Sequence, residues 1–251
     1  MKVSVLLSAY NAEDFIEKAI KSILEQSYNN LELIVINDGS TDGTLSIINK
    51  FNDPRLVLIN RENKGLTKSL NEAIDIATGE YICRQDADDY SYKNRIETQL
   101  EFLTVTGSDL VFCQAYDGLN AMPKRHMLNK KITARQLIFG NVLTHGTVFG
   151  KALIFKENRY DEDWKFGQDY ELWLRLLKLG FCMNWSEDEL YFLKKHENSI
   201  SVLNASKQEE LAINAIRKNG YNDLFFIRKH DGLVSTFFKK ILKRFILFIE
   251  T

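Results

Sequence analysis

The chain has 251 residues, of which 45% are hydrophobic and 12% are aromatic, and its formal net charge at pH 7 is -1. This length and composition suffice for one large domain, or for a domain with an appendage, around a substantial core. Because positive and negative charges nearly cancel, no overall positive field would attract nucleic acid, and we expect no nucleic-acid partner.

The cysteines and the apolar runs indicate the cellular compartment. Cys83, Cys113 and Cys182 are widely spaced and form no C-x-x-C pair, so the sequence supports neither a zinc ribbon nor a disulfide framework. The first apolar run is too short for a signal peptide and meets acidic residues at once. No stretch approaches the ~18 uninterrupted apolar residues of a membrane span. We therefore expect a cytoplasmic protein with free thiols.

The first hundred residues alternate strands and helices. β-Rich runs predict strands at 2–8, 31–38, 55–60 and 79–86. Apolar residues at helical spacing predict one helix that starts from Asn11, a good N-cap residue, and two more at 40–51 and 65–77. This alternation implies a mostly parallel sheet that is covered on both faces.

Beyond residue 107 the pattern is looser. It predicts strands at 108–113, 145–150, 181–186 and 189–196, and helices at 133–139 and 169–179. No linker rich in Pro, Gly or Ser separates the two halves. We therefore expect the second half to extend the same sheet.

The carboxyl ends of the first four strands carry the most informative side chains. Ligands of such sheets bind beyond these ends, where the chain collects Tyr10, Asp38, Asn63, Lys64, Asp86 and Asp88. Neither G-x-G-x-x-G nor G-x-x-x-x-G-K-[ST] occurs, so dinucleotide and P-loop functions lack their phosphate-binding turns. Asp38 is instead a candidate acceptor for donors of a nucleobase or ribose.

The acidic run "RQDADD" follows the fourth strand. In an extended stretch the side chains of Asp86 and Asp88 point the same way. Two such carboxylates repel unless a hard cation lies between them, and Mg²⁺ or Mn²⁺ bound by oxygen ligands is the usual remedy. The alternative is a solvated acidic turn, since Asp is common in loops. Asp38 at the same edge favours the metal site.

Two further candidates lie in the second half. Asp169 begins an amphipathic helix, where a carboxylate could merely complement the helix dipole, at ~0.3–1 kcal/mol. A catalytic role requires that Asp169 face the metal site across a cleft. His196 stands at the end of the last predicted strand, and His145 is similarly ambiguous, because a lone His is more often structural than a ligand.

Taken together, these stretches resemble the inverting nucleotide-sugar glycosyltransferases of family 2, which have the GT-A fold. The matching stretches, over roughly residues 1–203, are "VSVLLSAYN", "LELIVINDGSTDGT", "NKGLTKSLNEAI", "GEYICRQDADD", "GQDYELWLRL" and "HENSIS". The resemblance implies an α/β fold, a Rossmann-like α/β/α sandwich around a mostly parallel mixed sheet. It places the GT-A domain at 1–220, with a nucleotide-binding half at about 1–113 and an acceptor-binding half at about 114–220, and leaves 221–251 as a helical extension.

The resemblance also implies roles for individual residues. The nucleotide would be bound by Ala9, Tyr10, Asp38, Lys64, Asp86 and Ala87. Asp88 would bind a Mn²⁺ or Mg²⁺ ion that bridges the diphosphate, and His196 matches a position that approaches the metal or diphosphate in some members. Asp169 would be the general base.

The implied reaction moves a sugar from a nucleotide-diphosphate donor, expected to be a UDP-sugar, to an acceptor hydroxyl. The cation stabilises the charge on the leaving group, while Asp169 removes the acceptor proton. Direct displacement inverts the anomeric centre, so one catalytic carboxylate suffices, unlike in glycoside hydrolases. We expect a saccharide or lipid-linked saccharide acceptor in the synthesis of a bacterial surface polysaccharide or glycoconjugate.

The sequence departs from the family pattern in two places. Gln168 stands where many members have an acid before the base, and the Gln-x-x-Arg-Trp motif of processive synthases is absent, which favours addition of single sugars. Two alternatives remain. A nucleotidyltransferase would need a Gly-rich, Arg-containing loop after the first strand, which "SAYNAEDF" does not offer, and a nucleotide-sugar-binding protein would keep the cleft without turnover.

The C-terminal tail is amphipathic. Residues 233–251 carry an apolar helical stripe opposite Lys239, Lys240, Lys243 and Arg244. This pattern suits peripheral binding to an anionic surface, such as the inner face of the cell membrane. Packing of the tail on the domain, or against a second copy in a homodimer, fits the same pattern.

Overall fold

The computed structural model describes residues 1–116, 131–137, 141–194 and 208–221. The strands of this part are β1 Val3–Ala9, β2 Leu31–Asp38, β3 Leu56–Arg61, β4 Tyr81–Asp86, β5 Tyr90–Ser91, β6 Leu110–Tyr116, β7 Phe149–Lys151 and β8 Met183–Phe192. The helices are α1 Ile16–Leu24, α2 Thr44–Ile48, α3 Leu66–Ile76, α4 Arg95–Thr106, α5 Ala134–Leu137, α6 Ala152–Glu157, α7 Gln168–Lys178 and α8 Gln208–Lys218, with a 3₁₀ helix at His145–Thr147.

These strands form one mixed sheet in the order β3-β2-β1-β4-β7-β6-β8-β5. β1 pairs in parallel with β2 and β4, and β2 pairs in parallel with β3. β2 is buried along its whole length, as expected for a central strand of a sheet covered on both faces. The four strands and their parallel order confirm the prediction for the first half of the chain.

The second half extends the same sheet, as predicted. β7 is antiparallel to both β4 and β6, so β6 runs in the direction of β4. β8 is parallel to β6, and the short β5 pairs antiparallel with β8. The carboxyl ends of β1, β2, β4, β6 and β8 therefore lie at one edge of the sheet.

A hydrophobic core lies on each face of the sheet. One core contains the buried sides of α1, α2 and α4, and the other contains those of α3, α6, α7 and α8. Successive residues of β1 alternate between them, with Val5 and Leu7 in the first core and Leu6 in the second. The predicted α/β/α sandwich is confirmed.

Three local predictions were wrong. Asn11 is not an N-cap, because it has a left-handed φ of 48° and α1 begins later, at Ile16. Its side-chain oxygen instead accepts a hydrogen bond from the backbone of Thr41, at 2.8 Å, which Asn can do in the left-handed region. Residues 145–147 form a 3₁₀ helix ahead of a short β7. The last two predicted strands form one strand, β8, with register shifts opposite β6.

Some predicted features lie outside the described residues. They include His196, the tail at 233–251 and all but the first residue of the extension at 221–251. In the part of the chain that the structure describes, no helix is long and apolar enough to cross a membrane.

Candidate active site

The predicted nucleotide-binding residues converge because their strands end together. In the register of the sheet Ser8 is opposite Asp86, and Ala9 is opposite Asn37. Ala9 is buried, whereas Tyr10, the next residue, is 54% exposed at the rim. The predicted cluster of polar side chains at this edge is therefore a property of the fold.

Asp38 organises the loop that follows β3. It is 2% exposed, and its carboxylate accepts hydrogen bonds from the backbone N–H groups of Lys64 and Gly65, at 2.8 and 2.9 Å. Arg61 forms an ion pair with the same carboxylate and also binds Glu72 at 2.6 Å. The Asp38 carboxylate thus holds Lys64 at the sheet edge, where the Lys64 side chain is exposed.

Asp86 is held by a buried arginine on its own strand. The guanidinium of Arg84 forms a bidentate ion pair with both oxygens of Asp86, with 2.6 Å from Nη1 to Oδ2. The backbone N–H of Asp86 donates to the Tyr191 hydroxyl at 3.1 Å. Arg84 is 4% exposed, while the side chain of Asp86 is 26% exposed. The carboxylate is therefore fixed in orientation and still reaches the open edge.

The turn after β4 carries two more carboxylates. Asp88 is half-buried, and Asp89 is buried, with Oδ1 accepting the backbone N–H of Lys194 at 2.7 Å. Burial and the charges of Asp86 and Asp88 raise the pKa of Asp89 well above its usual value. These aspartates repel one another, which is the condition that a hard divalent cation relieves.

The donor set fits a cation that shares its coordination with a ligand. Among the described residues, no three side chains of ligand type are grouped to bind a metal ion by themselves. Mg²⁺ and Mn²⁺ commonly use one or two carboxylates together with phosphate oxygens and water. The carboxylate of Asp88 at the open edge suits that mode, and Ala87 beside it is half-buried in the same turn.

Asp169 lies in the first turn of α7, as predicted. Burial raises the pKa of Asp169, while the backbone N–H of Tyr170, the charge of Arg84 and a hydrogen bond from Asn141 oppose the rise. A carboxylate of raised pKa is a suitable proton acceptor near neutral pH. Because the charge of Arg84 acts on Asp169 and its guanidinium binds Asp86, one positive charge favours the ionised form of Asp169 and also holds Asp86.

The structure adds site residues that sequence reasoning missed. Arg95 is fully buried and donates to the carbonyls of Arg84 and Gly146, at 3.0 and 2.7 Å. It thereby ties the end of β4 to the 3₁₀ helix. A sequence signal existed for Arg84, which is a charge inside an apolar strand, but none existed for Arg95 or Asn141.

His145 is structural in this arrangement. Its Nε2 lies 2.7 Å from the hydroxyl of Tyr160, and its ring contacts Trp173 edge to face. Burial and the charge of Arg84 lower the pKa of His145 well below its usual value. The imidazole is therefore neutral and packs against Tyr160 and Trp173.

Comparisons with known proteins identify relatives of the chain. The model of a family described as glycosyl transferase family 2 matches residues 4–159. The chain is 34% identical over 236 residues to an uncharacterized glycosyltransferase of Haemophilus influenzae, covering 86% of this chain and 72% of that protein. It is 29% identical over 245 residues to the UDP-Glc:alpha-D-GlcNAc-diphosphoundecaprenol beta-1,3-glucosyltransferase WfaP of Escherichia coli, covering 95% and 92% of the two chains.

Two solved structures have the same fold. TarS of S. aureus, residues 1–349 in complex with UDP, matches with a TM-score of 0.69 and 21% identity over 87% of this chain. The mannosyltransferase PcManGT of Pyrobaculum calidifontis, in complex with GDP-Man and Mn²⁺, matches with a TM-score of 0.70 and 21% identity over 86% of this chain. The chain spans 65% and 64% of those two proteins, respectively. These matches confirm the predicted GT-A fold.

Proposed function

Because the chain belongs to glycosyl transferase family 2, we propose that it transfers a sugar from a UDP-sugar to an acceptor hydroxyl, with inversion at the anomeric carbon. The observation that carries this proposal is the arrangement around Arg84. Arg84 binds Asp86, which the resemblance assigns to the donor, and the charge of the same buried guanidinium acts on Asp169, which the resemblance assigns to the base. The proposed donor and acceptor groups are therefore linked electrostatically.

The donor side consists of the edge formed by β1, β2 and β4. The nucleotide-binding residues that we propose are Ala9, Tyr10, Asp38, Lys64, Asp86 and Ala87. The exposed ring of Tyr10 can cover a base, and the exposed Lys64, in the loop held by Asp38, can pair with an anionic ligand. TarS binds UDP, which supports a uridine nucleotide as the donor.

A divalent cation, Mn²⁺ or Mg²⁺, is proposed at Asp88. The crowding of Asp86, Asp88 and Asp89 supports it, as does the Mn²⁺ bound in PcManGT. When bound, such a cation stabilises the negative charge that develops on the departing diphosphate. His196 is a further proposed ligand, outside the described residues.

Asp169 is the proposed general base. Its position at the start of α7 places the carboxylate among backbone N–H dipoles, which favour its ionised form. Asn141 orients the carboxylate through the Nδ2 hydrogen bond to Oδ2. The ionised carboxylate accepts the proton of the acceptor hydroxyl as the new glycosidic bond forms at the anomeric carbon.

The acceptor is proposed to be a saccharide, in free or lipid-linked form, that is used for a bacterial surface polysaccharide. The support is the name of the Escherichia coli relative, whose acceptor carries a diphosphoundecaprenol group. Such a lipid acceptor would place the enzyme on the cytoplasmic face of a membrane, with residues 233–251 as the contact. If this tail instead packs against a second copy, the enzyme is a homodimer.

Thermal-shift titration tests the donor and the metal together. UDP-glucose, UDP-N-acetylglucosamine and GDP-mannose are added with MnCl₂, with MgCl₂ and with EDTA. We expect a UDP-sugar to raise the melting temperature, and to raise it more when the metal is present. In Asp88→Asn the additional rise caused by the metal should be lost. The control is Asp75→Asn, because Asp75 pairs with Arg159 on the surface. Equal stabilisation of the wild type with EDTA, or an Asp88→Asn variant that responds normally, would overturn the metal assignment.

A further inference from the structure

Arg84 lies in the interior of the sheet, where a charge is costly. It is 4% exposed on β4, between the buried Cys83 and Gln85. A guanidinium in such a place destabilises the fold unless partners compensate the lost hydration. A strand that served only packing would carry an apolar residue there, so the partners of Arg84 indicate its role.

Those partners are groups of the proposed site. Nη1 and Nη2 bind Asp86, while Nε is buried and has no hydrogen-bond partner among the described residues. The charge of Arg84 also acts on Asp169, His145 and Tyr160. The guanidinium is therefore tied to Asp86, and because side chains alternate along β4 it lies on the same face of the sheet as Ile82, which packs in the core that contains α7.

The backbone of Arg84 also connects β4 to the segment that contacts Asp169. The backbone N–H of Arg84 donates to the carbonyl of Val148 at 3.1 Å, so β4 holds the segment 141–148 in place. The other end of that segment is Asn141, whose side chain binds Asp169. The side chain of Arg84 thus binds Asp86, and its backbone holds the segment whose Asn141 binds Asp169.

We propose that Arg84 is a positioning residue that couples the donor side to the acceptor side, by clamping Asp86 and by placing a positive charge next to Asp169. This proposal rests on the proposed function of the site. Burial raises the pKa of Asp169 and the positive charge of Arg84 lowers it. Removal of that charge should therefore increase the proton affinity of Asp169. A protonated Asp169 cannot accept the acceptor proton, so the acid limb of activity moves to higher pH.

The other polar groups around Asp169 set the background for this effect. On the same helix the backbone N–H of Tyr170 favours the ionised carboxylate, and across from it the side chain of Asn141 does the same. Tyr160 is buried and hydrogen-bonded to the neutral His145. It is neutral too, since burial raises its pKa further above neutral pH. Among these groups and Asp86, Arg84 is the residue with a positive charge.

The test is a ¹³C-carboxyl NMR titration of the full chain, in which Asp169→Asn assigns the Asp169 signal. In Arg84→Gln the proton affinity of Asp169 should rise about tenfold, the lower end of the effect of a nearby opposite charge. In Arg84→Lys it should rise less, because the charge is retained. The matched control is Arg175→Gln, since Arg175 lies on α7 but pairs with Glu171, and it should leave Asp169 unchanged.

A second variant keeps the test decisive if Arg84→Gln does not fold. Asp86→Asn removes the carboxylate that neutralises Arg84, so the proton affinity of Asp169 should fall. A purely structural role for Arg84 predicts lower melting temperatures with no change in the Asp169 titration, and that result overturns the proposal. The titration needs no turnover, so failure of the proposed function would appear separately, as absent binding of UDP by the wild type.

Discussion

Asn141 donates a hydrogen bond from its side-chain amide to Oδ2 of Asp169. The carbonyl oxygen of the same amide accepts the backbone N–H of Leu143 at 3.2 Å. This second bond fixes which end of the amide faces Asp169. The candidate base therefore has a defined orientation that depends on a residue 28 positions earlier in the chain.

Substitution of Asn141 by Ala should weaken catalysis through Asp169. Burial raises the pKa of Asp169 and the Asn141 bond opposes that rise, so the pKa goes up further in Asn141→Ala. The base must be ionised, and the acid limb of kcat/KM should shift to higher pH, with kcat lower by about tenfold. A pH–rate profile of nucleoside diphosphate release measures both effects. An unchanged profile would show that the bond has no role in catalysis.

Asp38 should be required for stability as well as for binding. Its buried carboxylate accepts from Arg61 and from two backbone N–H groups, so Asp38→Ala leaves Glu72 as the remaining carboxylate of Arg61 and leaves the two backbone donors without their acceptor. Loss of the acceptor of such a donor costs about 1–3 kcal/mol, and urea unfolding measures the difference. Asp53→Ala is the control, because the Asp53–Arg55 pair is more exposed and exposed pairs contribute about 1 kcal/mol or less. Equal losses would contradict the account.

Position 146 has no space for a side chain, so only glycine fits there. A Cβ atom there would overlap the hydroxyl of Tyr191 and lie 2.6 Å from Oδ2 of Asp86. Gly146→Ala should displace Asp86 and weaken UDP binding, with a loss of stability of about 1–3 kcal/mol from overpacking. In Gly107→Ala, where nothing lies within 4 Å of the added Cβ, UDP binding should be unchanged. Calorimetric titration of both variants with UDP and MnCl₂ distinguishes the two positions.

Glu32 should contribute to the loss of stability in acid. Burial alone would raise the pKa of Glu32, but hydrogen bonds from Lys2, Ser4 and Thr78 outweigh it and lower the pKa to about 2 from 4.5. A lowered folded-state pKa stabilises the fold above about 4.5, and this contribution disappears as the pH falls toward about 2. In Glu32→Gln the free energy of unfolding should therefore depend less on pH in that window.

The check for Glu32 is a series of urea unfolding curves between pH 6 and the acid limit of solubility. Glu101→Gln, at an exposed position on α4, serves as the control and should follow the wild type. If Glu32→Gln keeps the full pH dependence, the contacts of Glu32 do not stabilise the ionised form.

Much of the fold could be predicted because the relevant signals are local. The buried runs of β1, β2 and β4 and the helices between them follow from hydrophobic periodicity, and parallel order then brings Asp38 and Asp86 to one edge. That reasoning also predicted the position of Asp169 at a helix start. The family match agrees with a glycosyltransferase and gives no support to a nucleotidyltransferase.

The partners of these residues could not be predicted, because they depend on strand order. β7 separates β4 from β6, and only this insertion brings Gly146 and Asn141 near Asp86 and Asp169. No sequence spacing relates Asn141 to α7 or Arg95 to the 3₁₀ helix. Asn11 was misassigned for a similar reason, since its side chain bonds Thr41, which is remote in sequence.

The most direct measurement is nucleotide-sugar turnover and binding by Asp169→Asn. The assay uses whichever of UDP-glucose, UDP-N-acetylglucosamine and GDP-mannose stabilises the wild type most, with MnCl₂, and the control is Asp163→Asn, in the exposed segment that precedes α7. Release of nucleoside diphosphate should fall by about 10²–10⁴-fold, the usual contribution of a general base, while donor affinity should stay at the wild-type value. Turnover at the wild-type rate in Asp169→Asn would contradict the assignment of the base.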